Sequence, residues 1–120
     1  MTVAYCQNRA RTTQEYIAWF RERALRLDQL RNDIMEAGAQ AEQAKTRAWE
    51  LGVKEWGVYG PSARWPGGVW LCIHVDPHIG GQVVELMWVN DDLRPAVRAF
   101  TYVRQAHTEL GNGWWLVVSS

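Results

Sequence analysis

Residues 27 to 52 read LDQLRNDIMEAGAQAEQAKTRAWELG, and their spacing decides the fold. Apolar side chains return every three or four positions, at Leu27, Leu30, Ile34, Ala37, Ala41, Ala44, Ala48 and Leu51. That is a seam of heptad type along one helix face. Toward the N-terminus Tyr16, Ile17, Phe20 and Ala24 extend it, and Thr12 with Glu15 has the spacing of a capping box. Toward the C-terminus Gly52 supplies a stop. Gly38 is the one interior breaker, costing about 1 kcal/mol relative to Ala in a continuous helix, which its helix-favouring neighbours offset. The stretch predicts one helix over residues 13 to 51; the alternative is a helical hairpin broken near Gly38.

A continuous helix of that length spans roughly 58 Å at ~1.5 Å per residue. A chain of 120 residues packs into a diameter of only ~35 Å. The seam runs to both ends, so the overhang predicts a homo-oligomer joined through the long helix. The hairpin needs no such partner.

After Gly52 the apolar period changes to two. Strands are predicted over residues 53–59, 69–75, 82–90 and 114–118, with Pro/Gly-rich loops at Gly60-Pro61-Ser62 and Pro66-Gly67-Gly68. Asp91 or Asp92 caps a second helix over residues 92–110, with Pro95 in its first turn and Leu93, Val97, Phe100, Val103, His107 and Leu110 as its buried stripe. The reading is a single α+β domain over residues 1–120, ordered α-β-β-β-α-β, with a mostly antiparallel four-stranded sheet.

Thirteen Lys and Arg residues balance thirteen Asp and Glu residues. Zero net charge lacks the basic face that a nucleic-acid or membrane partner requires. No apolar run approaches the ~20 residues of a membrane span, and Met1 to Arg11 lacks a secretory layout, which predicts a cytoplasmic location. Cys6 and Cys72 read as free thiols.

Eight tryptophans draw attention to the sheet. Trp56, Trp70 and Trp88 fall on three consecutive strands; with the aliphatic face turned to the helices, the indoles share the other face. Such a face covers a neighbouring subunit or stacks a planar ligand. Asn90, Asp91 and Asp92 stand at a strand-to-helix junction able to hold ribose hydroxyls, and Arg64 and Arg94 can contact phosphate through paired donors. The ligand-binding set is Trp56, Arg64, Trp70, Trp88, Asn90, Asp92 and Arg94. Plain core packing of the indoles and capping by the aspartates are the competing explanations. Cys72, His74, Asp76 and His78 recur every two residues, a weak pattern for a transition metal because Pro77 breaks the strand. No nucleophile elbow, phosphate loop or paired carboxylates are present, so no catalytic residue and no cofactor is assigned.

The α-β-β-β-α order with Gly60-Pro61-Ser62-Ala63 resembles the double-stranded RNA-binding domain, yet Asn90-Asp91-Asp92 stands where that family places a lysine cluster. With its long first helix, tryptophan-bearing sheet and the pair Asn90 and Asp92, the chain has a weaker, architectural resemblance to the phage anti-Thoeris proteins that sequester cyclic ADP-ribose signals. That resemblance implies a non-enzymatic oligomeric sponge that holds a nucleotide-derived molecule by aromatic stacking and arginine contacts. The alternative is a phage-type inhibitor or adaptor that covers a host protein surface.

Overall fold

The computed structural model describes residues 12–59, 68–76, 81–89 and 105–119. Helix α1 (Thr13–Ala37) begins at the capping box: the Glu15 amide donates to the Thr12 hydroxyl at 3.2 Å, and the Thr12 amide donates to the Glu15 carboxylate at 3.0 Å. It ends at Gly38, whose φ of 100° and ψ of 154° lie in a region open essentially to glycine alone. The chain turns through residues 38–41 and enters α2 (Glu42–Leu51). Arg47 reaches back across the turn, donating to Asp33 at 2.9 Å and to Gln29 at 2.9 Å, which lays α2 against the second half of α1.

The expected rod over residues 13–51 is therefore a hairpin. Its three-four periodicity survives the break because Leu27, Leu30 and Ile34 on α1 and Ala44, Ala48 and Leu51 on α2 all enter one core. At the turn itself the seam loses its meaning: Ala37 is exposed and Ala41 is half-buried. At ~1.5 Å per residue α1 spans roughly 37 Å, within a molecule whose longest dimension is 45 Å. The overhang disappears, and with it the reason to require self-association through the long helix.

Five strands follow, one more than expected: β1 (Glu55–Tyr59), β2 (Gly68–Val75), β3 (Val83–Val89), β4 (Gln105–Gly111) and β5 (Trp114–Ser119). They form one antiparallel sheet in the order β1-β2-β3-β5-β4. The correction concerns residues 105–110, expected as the end of the second helix. Gly111, Asn112 and Gly113 all take positive φ, closing a tight hairpin in which β4 pairs with β5. His107 and Leu110 thus occupy an edge strand among the described residues. The rest of that expected helix, residues 92–104, lies outside the described residues, as do the loops at 60–67 and 77–80.

Register fixes the faces. Trp56 pairs with Leu71, Leu71 with Leu86, and Leu86 with Leu116, and this face packs on Tyr16, Phe20, Leu27, Leu30 and Ile34. Phe20 meets Trp114 edge-on, with ring centroids 5.9 Å apart. The second face is withdrawn from water as well: Met87, Val117 and Ser119 have no exposed surface.

Candidate functional site

Two bonds prepare the site at the end of the helical hairpin. The Trp56 indole donates to the Ala39 carbonyl at 2.7 Å, tying β1 to the interhelix turn. On the far side, α2 stops at Gly52, where the Val53 amide returns to the Ala48 carbonyl at 2.9 Å, and the chain runs directly into β1. Between turn, helix end and strand lies a groove of about 960 Å³ lined by Gln40, Lys45, Trp49, Gly52, Val53, Lys54, Glu55, Trp56 and Trp70.

Three indoles frame it. Trp49 is 85% exposed, on the face of α2 opposite Ala44, Ala48 and Leu51. Trp70 reaches the groove because its β1 partner is Gly57: a Cβ there would lie 2.8 Å from the Trp70 ring. Only a residue without a side chain lets the indole lie this close to the strand. Lys45 stands one helical turn before Trp49, and Lys54 follows the helix stop, so two lysines and three tryptophans line one opening. Glu55 is the one carboxylate of the lining among the described residues.

Trp56 and Trp70 are thus brought to one groove, whereas Trp88 is not. Trp88 pairs with Val69, which places it on the helix-packed face, while Trp70 pairs with Met87 on the other. The expectation that Trp56, Trp70 and Trp88 share the face away from the helices is corrected by this register: Trp56, paired with Leu71, lies with Trp88 on the helix-packed face, and Trp70 alone lies on the other. The Arg31 guanidinium covers the Trp88 ring at 4.7 Å, and the Trp88 indole donates to the Asn112 carbonyl at 3.1 Å. Arg31 is itself held by Asp28 at 3.2 Å, and the same Asp28 oxygen accepts from the buried Trp114 indole at 2.8 Å. Trp88 belongs to this network beside a smaller, more polar pocket of about 560 Å³ with Glu109, Asn112 and Trp115. Arg64, Asn90, Asp92 and Arg94 lie outside the described residues.

No family model, no curated protein and no solved structure matches the chain. What the groove does follows from its own chemistry.

The weak metal pattern meets a β-bulge. Cys72 pairs with Glu85 and His74 with Val84, with Ile73 left over between them, so the alternation that would align Cys72 with His74 is broken. Among the described residues no three His, Cys, Asp or Glu side chains gather around a point that could hold an ion; His78 lies outside them. The Cys72 thiol is pushed up from its ordinary value, first by burial and then by the Glu85 carboxylate. It rests against the His74 carbonyl at 3.7 Å. Burial likewise lowers the His107 imidazole, whose Nε2 has no hydrogen-bond partner among the described residues.

Lys45, Trp49 and Lys54 are the site residues that sequence reasoning passed over. Their signal was there: Trp49 falls off the apolar seam, four residues after Lys45, on a face that packing does not require.

Proposed function

We propose that this chain is a non-enzymatic binding protein that sequesters a planar, nucleotide-derived small molecule in the groove between α2 and β1. The observation that carries the reading is the convergence of Trp49, Trp56 and Trp70 on one opening flanked by Lys45 and Lys54. Stacking of a base on an indole is worth ~1 to 3 kcal/mol and tolerates any base. At about 960 Å³ the groove lies within the ~300 to 1,000 Å³ of small-molecule sites. Its lining supplies rings, ammonium groups and one carboxylate, which hold and orient. Retention without chemistry would suit a phage anti-defence protein that acts in the host cytoplasm.

Thermal unfolding against a panel of nucleotides tests this. A ligand at 100 times its Kd adds about 2.7 kcal/mol to stability, a rise of roughly 8 to 12 °C for a domain of this size. Native mass spectrometry of freshly purified protein reports any retained molecule together with copy number. A flat panel and an empty spectrum would turn attention to the second reading, an inhibitor or adaptor covering a partner protein's surface. That reading is favoured by Trp49 at 85% exposed, since tryptophan is a usual anchor of protein interfaces. It requires a host protein that co-purifies in stoichiometric amount and is lost on Trp49→Ala.

A further inference from the structure

Resting on that reading of the groove, we infer that it selects phosphorylated ligands: Trp49 stacks the ring while Lys45 and Lys54 hold the phosphate, so the ligand class is a nucleoside phosphate and not the free base or nucleoside. The geometry of α2 sets the two functions apart. Lys45 and Trp49 are four residues distant on the exposed helix face, hence neighbours about one turn apart. A nucleobase and its 5′-phosphate are separated by a comparable reach across the ribose. Lys54 approaches the same opening from beyond the helix stop, which allows the two ammonium groups to close on one anion from two chain segments.

Charge supplies the second argument. Among the described residues the groove lining carries two lysines against one carboxylate, Glu55, in a chain whose total charge is zero. Lys45 makes a long, solvent-exposed ion pair with Glu42 at 4.0 Å, the kind a phosphate can displace, and Lys54 forms no ion pair among the described residues. A phosphate monoester brings a charge of about −1.5 to −2 at neutral pH. An uncharged nucleoside would leave the lysines idle, and a free phosphate would leave the indoles idle.

Isothermal titration at about 50 mM salt, with adenosine, guanosine, cytidine and uridine, their 5′-monophosphates and inorganic phosphate, decides the matter. At least one monophosphate is expected to bind about tenfold or more tightly than its nucleoside, charge-assisted bonds being the strong ones. Inorganic phosphate is expected to bind far more weakly than that nucleotide. Lys45→Ala and Lys54→Ala, both at exposed positions, should each reduce the preference about threefold or more while leaving the circular dichroism spectrum unchanged. Trp49→Ala should weaken nucleotide and nucleoside alike by about tenfold. Raising the salt to about 500 mM should shrink the preference, because exposed charges are then screened within a few ångströms. Equal binding of nucleoside and nucleotide overturns the phosphate assignment and leaves the binding reading standing. Binding of neither overturns both.

Discussion

Replacing Gly38 by alanine separates the hairpin from the continuous helix by the sign of one number. Nothing lies within 4 Å of a Cβ built at Gly38, so the substitution meets no steric obstacle and acts through the backbone alone. At φ 100° and ψ 154° an L-residue is strained by about 1 to 3 kcal/mol. The stiffer unfolded chain returns about 0.4 to 1 kcal/mol. The net is a destabilisation of about 0.5 to 2 kcal/mol. In an unbroken helix the same change would stabilise by about 1 kcal/mol, alanine being the better helix former. Urea unfolding followed by far-ultraviolet circular dichroism reads the difference: with a slope of about 2 kcal/mol per molar, the midpoint should fall by about 0.3 to 1 M. Sedimentation velocity on the same sample shows whether the variant keeps the protomer's dimensions. A midpoint that rises, with a gain in helical signal, would refute the hairpin and restore the overhanging rod.

Asp28→Ala strands the Trp114 indole N–H at 1% exposure and releases Arg31 from its place over Trp88, a loss of about 1 to 3 kcal/mol in thermal unfolding. Asp28→Asn keeps an acceptor for Trp114 and should lose less than half of that; equal losses would show that the bond to Trp114 contributes little. Gly57→Ala drives a methyl into the Trp70 ring, so the Trp70 indole resonance should move and ligand affinity should fall, at a stability cost of about 1 to 3 kcal/mol; an unmoved resonance would mean that the close approach does not exist. Burial holds His107 below its ordinary 6.5, so the stability that this lowered value contributes is present above about pH 6.5 and is lost as pH falls through the folded value. The stability of the wild type relative to His107→Gln should therefore decline between pH 7 and pH 5, and a difference constant across that range would count against a buried neutral imidazole.

Sequence disclosed most where local chemistry acts alone. Thr12 and Glu15 announced the start of the first helix, Gly52 the end of the second, and the alternation from Val69 to Leu71 the strand that enters the core. It concealed whatever depends on partners distant in the chain. A hairpin that sends both helices into one core keeps the heptad rhythm across its turn, so only the backbone angles of Gly38 reveal the break. Residues 105–111, QAHTELG, carry little apolar alternation because β4 lies at the rim of the sheet, and the Gly111-Asn112-Gly113 signal fits a helix end as well as a hairpin. The bulge at Ile73 changes which face follows it, which composition cannot report. Half of the groove was legible in Trp56 and Trp70; Lys45, Trp49 and Lys54 join them only once α2 has turned back.

The strand order has a consequence for how the chain is made. β5 is last in sequence yet sits between β3 and β4. Until residue 119 has emerged from the ribosome, β3 and β4 have no neighbour to share, and each presents an unpaired row of amides and carbonyls. A nascent or prematurely ended chain is thus open to pairing with the wrong strand. The sheet is complete only when the β4–β5 hairpin lays its β5 edge on β3.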